Sequence, residues 1–264
     1  MLDSMDPVTM KSLPPKGVAQ RTMAGWHGRR LLVRFLVLAG CLVLPGRALA
    51  GGSTWEYWPE IDLWARLTPQ FRLSSMIALS RNIETQYREG SFILQADYAW
   101  KRKGAPLVRQ RLMDEAQAAA MNVFMVRGGY LAGKSLADNG AEYSERAGFL
   151  EFHLRTPLKG GVLLSNRIRT DLRFLGEAHE FSWRLRYRLQ AEKEYAALGT
   201  SVVPYASVEA AYDSRSSSIN RVRTIGGACA PFSRRFAAEA NVTYDWRSSA
   251  SDLLALNTIL HVYF

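Results

Sequence analysis

The chain has 264 residues, of which 48% are apolar and 22% charged, and its formal net charge is +10. This length allows one large or two small domains, and the apolar share excludes a disordered chain. Two cysteines exclude a disulfide scaffold and a cysteine-rich zinc module, whereas the basic charge by itself is typical of nucleic-acid binding.

The first fifty residues have the layout of an export signal. Basic residues within 29–34 precede an apolar stretch over 35–45, and small residues lead up to Ala50. This order is that of a secretory signal peptide, so we predict cleavage after Ala50 and a single mature domain over 51–264. A second interpretation is lipidation at Cys41, because the four residues that end there match a bacterial lipobox.

Removal of this leader changes the meaning of the charge. Residues 1–50 hold seven of the basic and two of the acidic residues, so the mature chain would carry a net charge of +5. Export also excludes nucleic acid as the natural partner. Cys229 would be the one cysteine left, which excludes an internal disulfide.

After residue 50 apolar and polar residues alternate with a period of two, which is typical of strands. No stretch there has the eighteen consecutive apolar residues of a membrane-spanning helix. The alternation predicts strands within these segments, in chain order: 61–67, 71–80, 92–100, 121–128, 150–154, 162–174, 181–191, 204–213, 219–230, 238–247 and 253–264.

The segments differ in the clarity of their pattern. Over 181–191 every second residue is apolar, and the residues between include Arg184, Arg186 and Arg188. A helix would spread these arginines around its circumference, whereas a strand places them on one face. The segment 219–230 is the least regular, and its Gly226-Gly227 pair predicts a bend or bulge.

The pattern predicts an all-β, antiparallel transmembrane β-barrel. Bacterial barrels have even strand numbers, so we expect about twelve strands, with ten as the alternative, and both termini on the periplasmic side. A further strand is expected between residues 82 and 120, where 102–113 is ambiguous, and 114–120 could form a short helix. A soluble barrel has the same alternation with its apolar face inward.

Three features favour the membrane barrel over a soluble one. Aromatic residues lie near strand ends on the apolar face, as in interfacial girdles. The polar face mixes arginines with carboxylates, which suits a lumen of paired charges. The last strand, with Leu260, Val262 and Phe264 on one face, is similar to the assembly signal of outer-membrane proteins. The aromatic residues are Phe71, Trp100, Phe174, Phe181, Tyr212, Trp246 and Phe264.

These features predict the cell outer membrane of a Gram-negative bacterium as the location. The expected partners are outer-membrane lipid, the outer-membrane barrel assembly machinery and a small anionic solute. The alternative is a soluble periplasmic binding barrel.

Charged motifs on the later strands carry a resemblance to a known family. They comprise Arg167-x-Arg169-x-Asp171-x-Arg173, the stretch 183–188, Glu209, and Asn220-Arg221 with Gly227. Together they resemble the domain of unknown function 2490 family over 55–264. The resemblance implies an exported β-barrel of a Gram-negative bacterium and implies no substrate. The chain departs from the family pattern at Asp171, where glutamate is expected, and over 225–231.

The charged face supplies the candidate functional residues. Eight arginines and five carboxylates are expected to face the lumen: Arg167, Arg169, Asp171, Arg173, Arg184, Arg186, Arg188, Glu209, Asp213, Arg221, Arg223, Glu239 and Asp245. An excess of arginine predicts a narrow channel that favours anions. The alternative is a structural barrel whose lumen is filled by salt bridges, which requires nearly complete pairing of the charges.

Signatures of an enzyme are weak. An outer-membrane lipid hydrolase needs a serine nucleophile and a histidine base, and His153 and His261 lie on the polar face with Ser182 and Ser207. No G-x-S-x-G or H-E-x-x-H motif is present. We therefore predict a barrel without enzymatic activity and without a cofactor or metal, in which Cys229 is a small packed residue.

Overall fold

The computed structural model describes the chain in seven ranges: 53–68, 70–101, 122–136, 143–197, 200–233, 235–248 and 250–264. The predicted leader, the ambiguous segment 102–113 and the predicted helix 114–120 lie outside these ranges. Within them, no helix has the length and apolarity that a helical membrane crossing requires.

The described chain consists of β-strands with one short 3₁₀ turn, Lys159–Gly161, between β5 and β6. The strands are β1 (Thr54–Arg66), β2 (Phe71–Asn82), β3 (Arg88–Lys101), β4 (Asn122–Ser135), β5 (Ser144–Pro157), β6 (Val162–Leu175), β7 (Glu180–Lys193), β8 (Tyr195–Ala197), β9 (Thr200–Asp213), β10 (Ser218–Pro231), β11 (Phe236–Arg247) and β12 (Leu253–Tyr263).

These strands close into a barrel, which confirms the predicted all-β antiparallel fold. Strands β1 to β7 and β9 to β12 each pair with their neighbours, and β12 pairs with β1 to complete the ring. The short β8 pairs with β9 outside the ring, so the twelve strands comprise eleven in the wall and one extension.

The odd number of wall strands fixes how the barrel closes. Ten successive antiparallel pairings lead from β1 to β12 and leave these two strands running in the same direction. They pair in parallel from Thr54 opposite Leu253 to Trp64 opposite Tyr263. The start of β1 and the end of β12 therefore lie at opposite ends of the barrel. The expectation that both termini share one side was wrong, because it rested on an even strand number.

Several strands extend beyond the segments that alternation identified. Strand β4 reaches Ser135 although the pattern weakens after Gly128, and β5 begins at Ser144, well before Leu150. Glycines and alanines on these strands reduce the difference in polarity between the two faces. Hydrogen bonding to regular neighbouring strands extends β4 and β5, because a backbone group left unpaired inside the sheet costs free energy.

The Gly226-Gly227 pair does not form the predicted bend or bulge. Strand β10 keeps regular register with both neighbours there, and its irregularity with β9 lies between Ile219 and Arg221. A Cβ atom on Gly227 would lie 2.4 Å from the Cβ of Asn241 and 2.6 Å from the Ala240 oxygen. Glycine is needed at this position because the neighbouring strand leaves no room for a side chain.

Candidate functional site: a charged barrel interior

The two faces of the wall have opposite polarity. On β7, Phe181, Trp183 and Leu185 point outward with 58%, 38% and 42% of their surface exposed, whereas Ser182 between them is 1% exposed. The same alternation buries Asp171 on β6 and Asp245 on β11, both 0% exposed. Charged side chains therefore fill the interior and apolar side chains cover the outside.

Aromatic side chains on the outer face gather toward both ends of the barrel. Where β3 ends and β4 begins, the rings of Trp100 and Phe124 lie 5.3 Å apart. At the opposite end, Phe174 and Phe181 are 5.6 Å apart, and Trp183 stacks on Tyr212. The wall strands between these ends have 11 to 14 residues, enough for a tilted strand to cross a bilayer core.

Inside the barrel, Asp171 is the centre of one ion-pair cluster. Its carboxylate lies 2.6 Å from Arg169, 3.1 Å from Arg184 and 3.1 Å from Arg186. These arginines come from β6 and β7, whose inner faces carry three arginines each. Three guanidinium groups thus share one buried carboxylate, and charge-assisted contacts of this kind are among the stronger hydrogen bonds.

The next carboxylates extend this cluster along the wall. Glu209 on β9 contacts Arg167, lies 3.0 Å from Arg188 and lies 3.5 Å from Arg186. Glu151 on β5 lies 2.9 Å from an Arg169 nitrogen and also forms an ion pair with Arg167. Arg167, Arg169 and Arg186 therefore each bridge two carboxylates, and the contacts form a connected system.

Strands β2 to β4 continue the system with residues that sequence analysis did not single out. Asp97 pairs with Arg72 at 2.9 Å and with Arg127 at 2.6 Å, and Arg127 reaches Glu151 at 3.4 Å. Both guanidinium groups lie over the ring of Trp64, at 5.3 and 5.8 Å from its centroid, a favourable position for a cation.

At the end of the barrel where β5 begins, Arg173 joins two strands through two carboxylates. It lies 2.7 Å from Glu145 and 2.8 Å from Asp213. Tyr143, just before β5, donates its hydroxyl to Glu145. Burial and the nearby Glu145 carboxylate raise the pKa of Tyr143, so its hydroxyl remains a donor.

We call the connected set of ion pairs described so far the arginine network. It comprises Arg72, Asp97, Arg127, Glu145, Glu151, Arg167, Arg169, Asp171, Arg173, Arg184, Arg186, Arg188, Glu209 and Asp213.

A second cluster lies on β10 and β11 around Asp245. Its carboxylate is 2.9 Å from Arg223, 3.4 Å from Arg221 and 3.6 Å from Arg247. Their side chains are 17%, 31% and 25% exposed, whereas those of the network arginines range from 5% for Arg72 to 22% for Arg188. This side of the interior is therefore the more accessible to water.

The structure places twelve of the thirteen predicted lumen residues in the arginine network or around Asp245, and Glu239 beside His261. Sequence analysis missed three arginines and five buried carboxylates on inner faces: Arg72, Arg127, Arg247, Asp62, Asp97, Glu145, Glu151 and Glu192. More carboxylates than arginines are added, which reduces the cationic excess that the sequence indicated.

The two histidines on the polar face have different surroundings. His153 pairs with Glu151 at 2.8 Å, while His261 lies between Asp62 and Glu239 at 3.2 and 3.3 Å. Among the described residues no serine hydroxyl is hydrogen-bonded to either histidine. Ser182 and Ser207 have buried hydroxyls without a described partner, so no serine–histidine dyad is assembled there.

The fold and its interior define a class of protein: a closed β-barrel with buried ion pairs inside and an apolar outer wall. The model of the family described as "Protein of unknown function (DUF2490)" matches residues 61–253. The chain belongs to this family, which confirms the resemblance carried by its arginine motifs. Comparisons with curated proteins and with solved structures gave no match.

Proposed function

We propose that the protein is an integral outer-membrane β-barrel of a Gram-negative bacterium, with a structural role that depends on its charge-filled interior. The observation that carries this proposal is the reversed polarity of the wall. A soluble protein rarely exposes contiguous apolar patches larger than a few hundred Å², whereas this wall exposes large apolar side chains on every side, including Ile77, Phe92, Phe152, Ile168, Tyr187, Val242 and Leu256.

The electrostatics support the same proposal. Burial of a charge costs several kcal/mol unless the charge is paired and hydrogen-bonded. The arginine network supplies such pairing and packs the interior between β2 and β9. Membrane barrels of intermediate size have polar interiors and lipid-facing apolar exteriors, and the wall strands have the length that such a barrel needs.

Fractionation of cells that express the full chain tests the proposal. We expect the protein in the outer-membrane fraction, resistant to carbonate and high salt because apolar contacts hold it there. The folded barrel should migrate differently on a gel before and after boiling. Release of folded protein by carbonate, together with equal migration in both states, would contradict membrane insertion.

A narrow channel for small anions is the second candidate, favoured by the more exposed arginines around Asp245. In planar bilayers such a channel would show small conductance steps with anion preference, reduced by Arg221→Gln and Arg223→Gln. A barrel filled by its ion pairs would be silent at all voltages. The lipid-hydrolase alternative lacks a comparable observation, since the described residues hold no serine–histidine pair.

A further inference from the structure

Four adjacent strands bring four polar side chains together beside the arginine network. Cys229 on β10 faces Glu239 on β11, and Asp62 on β1 faces His261 on β12, as direct partners across their strands. All four residues are buried, with exposures of 1%, 5%, 5% and 2%. One ligand atom from each of Cys229, Glu239 and His261 lies within 4.8 Å of the other two.

The histidine ring is held between two carboxylates. Its Nε2 atom lies 3.3 Å from Glu239 Oε2, and its Nδ1 atom lies 3.2 Å from Asp62 Oδ2. Tyr205 donates its hydroxyl to the other oxygen of Glu239.

We propose that Cys229, Glu239 and His261 bind a divalent metal ion of the zinc class. Thiolate, imidazole and carboxylate are the three ligand types that zinc takes in proteins. In this arrangement Nε2, the nitrogen that faces Glu239, carries the metal, and Asp62 accepts the Nδ1 proton. A carboxylate behind a metal-bound histidine fixes the ring and its tautomer. Tyr205 orients the Glu239 carboxylate in the same way.

The position of the cluster gives the ion a structural role. The three ligands lie on β10, β11 and β12, and Asp62 lies on β1, across the parallel joint that closes the barrel. An ion bound there would tie together the last three strands and fix β12 against β1. This inference does not rest on membrane insertion, because the same cluster exists in a soluble barrel.

Cobalt substitution tests the site, because a bound Co²⁺ ion gives an absorption band when the Cys229 thiolate is one of its ligands. The purified full chain, stripped with a chelator, is titrated with Co²⁺ and then with Zn²⁺. We expect one ion per chain, a thiolate-to-cobalt absorption band, and loss of that band as Zn²⁺ displaces Co²⁺. The chain has two cysteines, Cys41 and Cys229, so the band should vanish in Cys229→Ser and persist in the matched variant Cys41→Ser.

Further variants separate ligands from the supporting carboxylate. His261→Gln and Glu239→Gln remove ligands and should prevent stoichiometric binding. Asp62→Asn should keep the stoichiometry and weaken affinity by about 10–100-fold, as expected for a group behind a ligand. His179→Gln, in the exposed β6–β7 turn, should bind as the parent chain does.

Circular dichroism checks that each variant is folded before titration. Absence of a cobalt–thiolate band in the folded parent chain would overturn the proposal, as would a band that survives Cys229→Ser. If Cys229→Ser does not fold, Cys229→Ala and the stoichiometry of the parent chain decide the same question. An ion per chain that binds without the thiolate band would also contradict the assignment of Cys229 as a ligand.

Discussion

Replacement of Asp171 by asparagine is expected to lower the free energy of unfolding by about 3–5 kcal/mol, the range for removing one partner of a buried ion pair. Asp171 is fully buried and lies 2.6–3.1 Å from Arg169, Arg184 and Arg186. Asparagine has nearly the same volume, so the loss would come from charge. Urea unfolding of the purified barrel, followed by tryptophan fluorescence, measures the change.

An exposed carboxylate supplies the control for this prediction. Glu177 lies in the β6–β7 turn and is exposed, so Glu177→Gln should change the free energy of unfolding by no more than about 0.5 kcal/mol. Equal stability of Asp171→Asn and the parent chain would show that the arginine network does not hold the interior together.

Replacement of Ile168 by arginine is expected to destabilise the membrane-inserted barrel by about 2–4 kcal/mol, the cost of an arginine facing lipid near the bilayer midplane. Ile168 lies at the middle of β6, on the outer face, with 48% of its surface exposed. Refolding into lipid vesicles across a denaturant series gives the change in stability. In a soluble barrel the arginine would meet water, and stability would stay close to that of the parent chain.

A substitution near the rim controls for the added charge itself. Leu158 lies in the turn between β5 and β6, 45% exposed. Leu158→Arg should cost only about 0–1 kcal/mol, because the penalty falls toward the membrane interface. Equal effects at the two positions would contradict a depth-dependent apolar environment around the wall.

The face assignments could be predicted from sequence because they depend on a local pattern. In the middle of β6 and β7, over 166–173 and 183–188, an arginine or carboxylate follows every outward residue. The period of two fixes which side chains share a face. The structure agrees at both strands. Alternation also identified the charged face of β11, where Glu239 and Asp245 are buried.

The neighbours of each residue could not be predicted in the same way. Which strand lies beside which depends on closure of the whole ring, and the odd strand number brought β1 and β12 together in parallel. His261 thus meets Asp62, which is far away in sequence. Arg127 and Asp97 lie within the predicted segments 121–128 and 92–100. Their pairing was missed because a further strand was expected between 82 and 120, whereas β3 and β4 pair directly.

Accessibility measurements along β6 test the central claim most directly. Spin labels on cysteines introduced at Ile168, Thr170 and Leu172, in a Cys41→Ser and Cys229→Ser background, report collisions with oxygen in the lipid and with a polar reagent in water. In vesicles we expect oxygen contact at all three positions and almost none with the polar reagent, with Leu158 more exposed to water. High polar-reagent accessibility at Ile168 and Leu172 would contradict a lipid-facing wall.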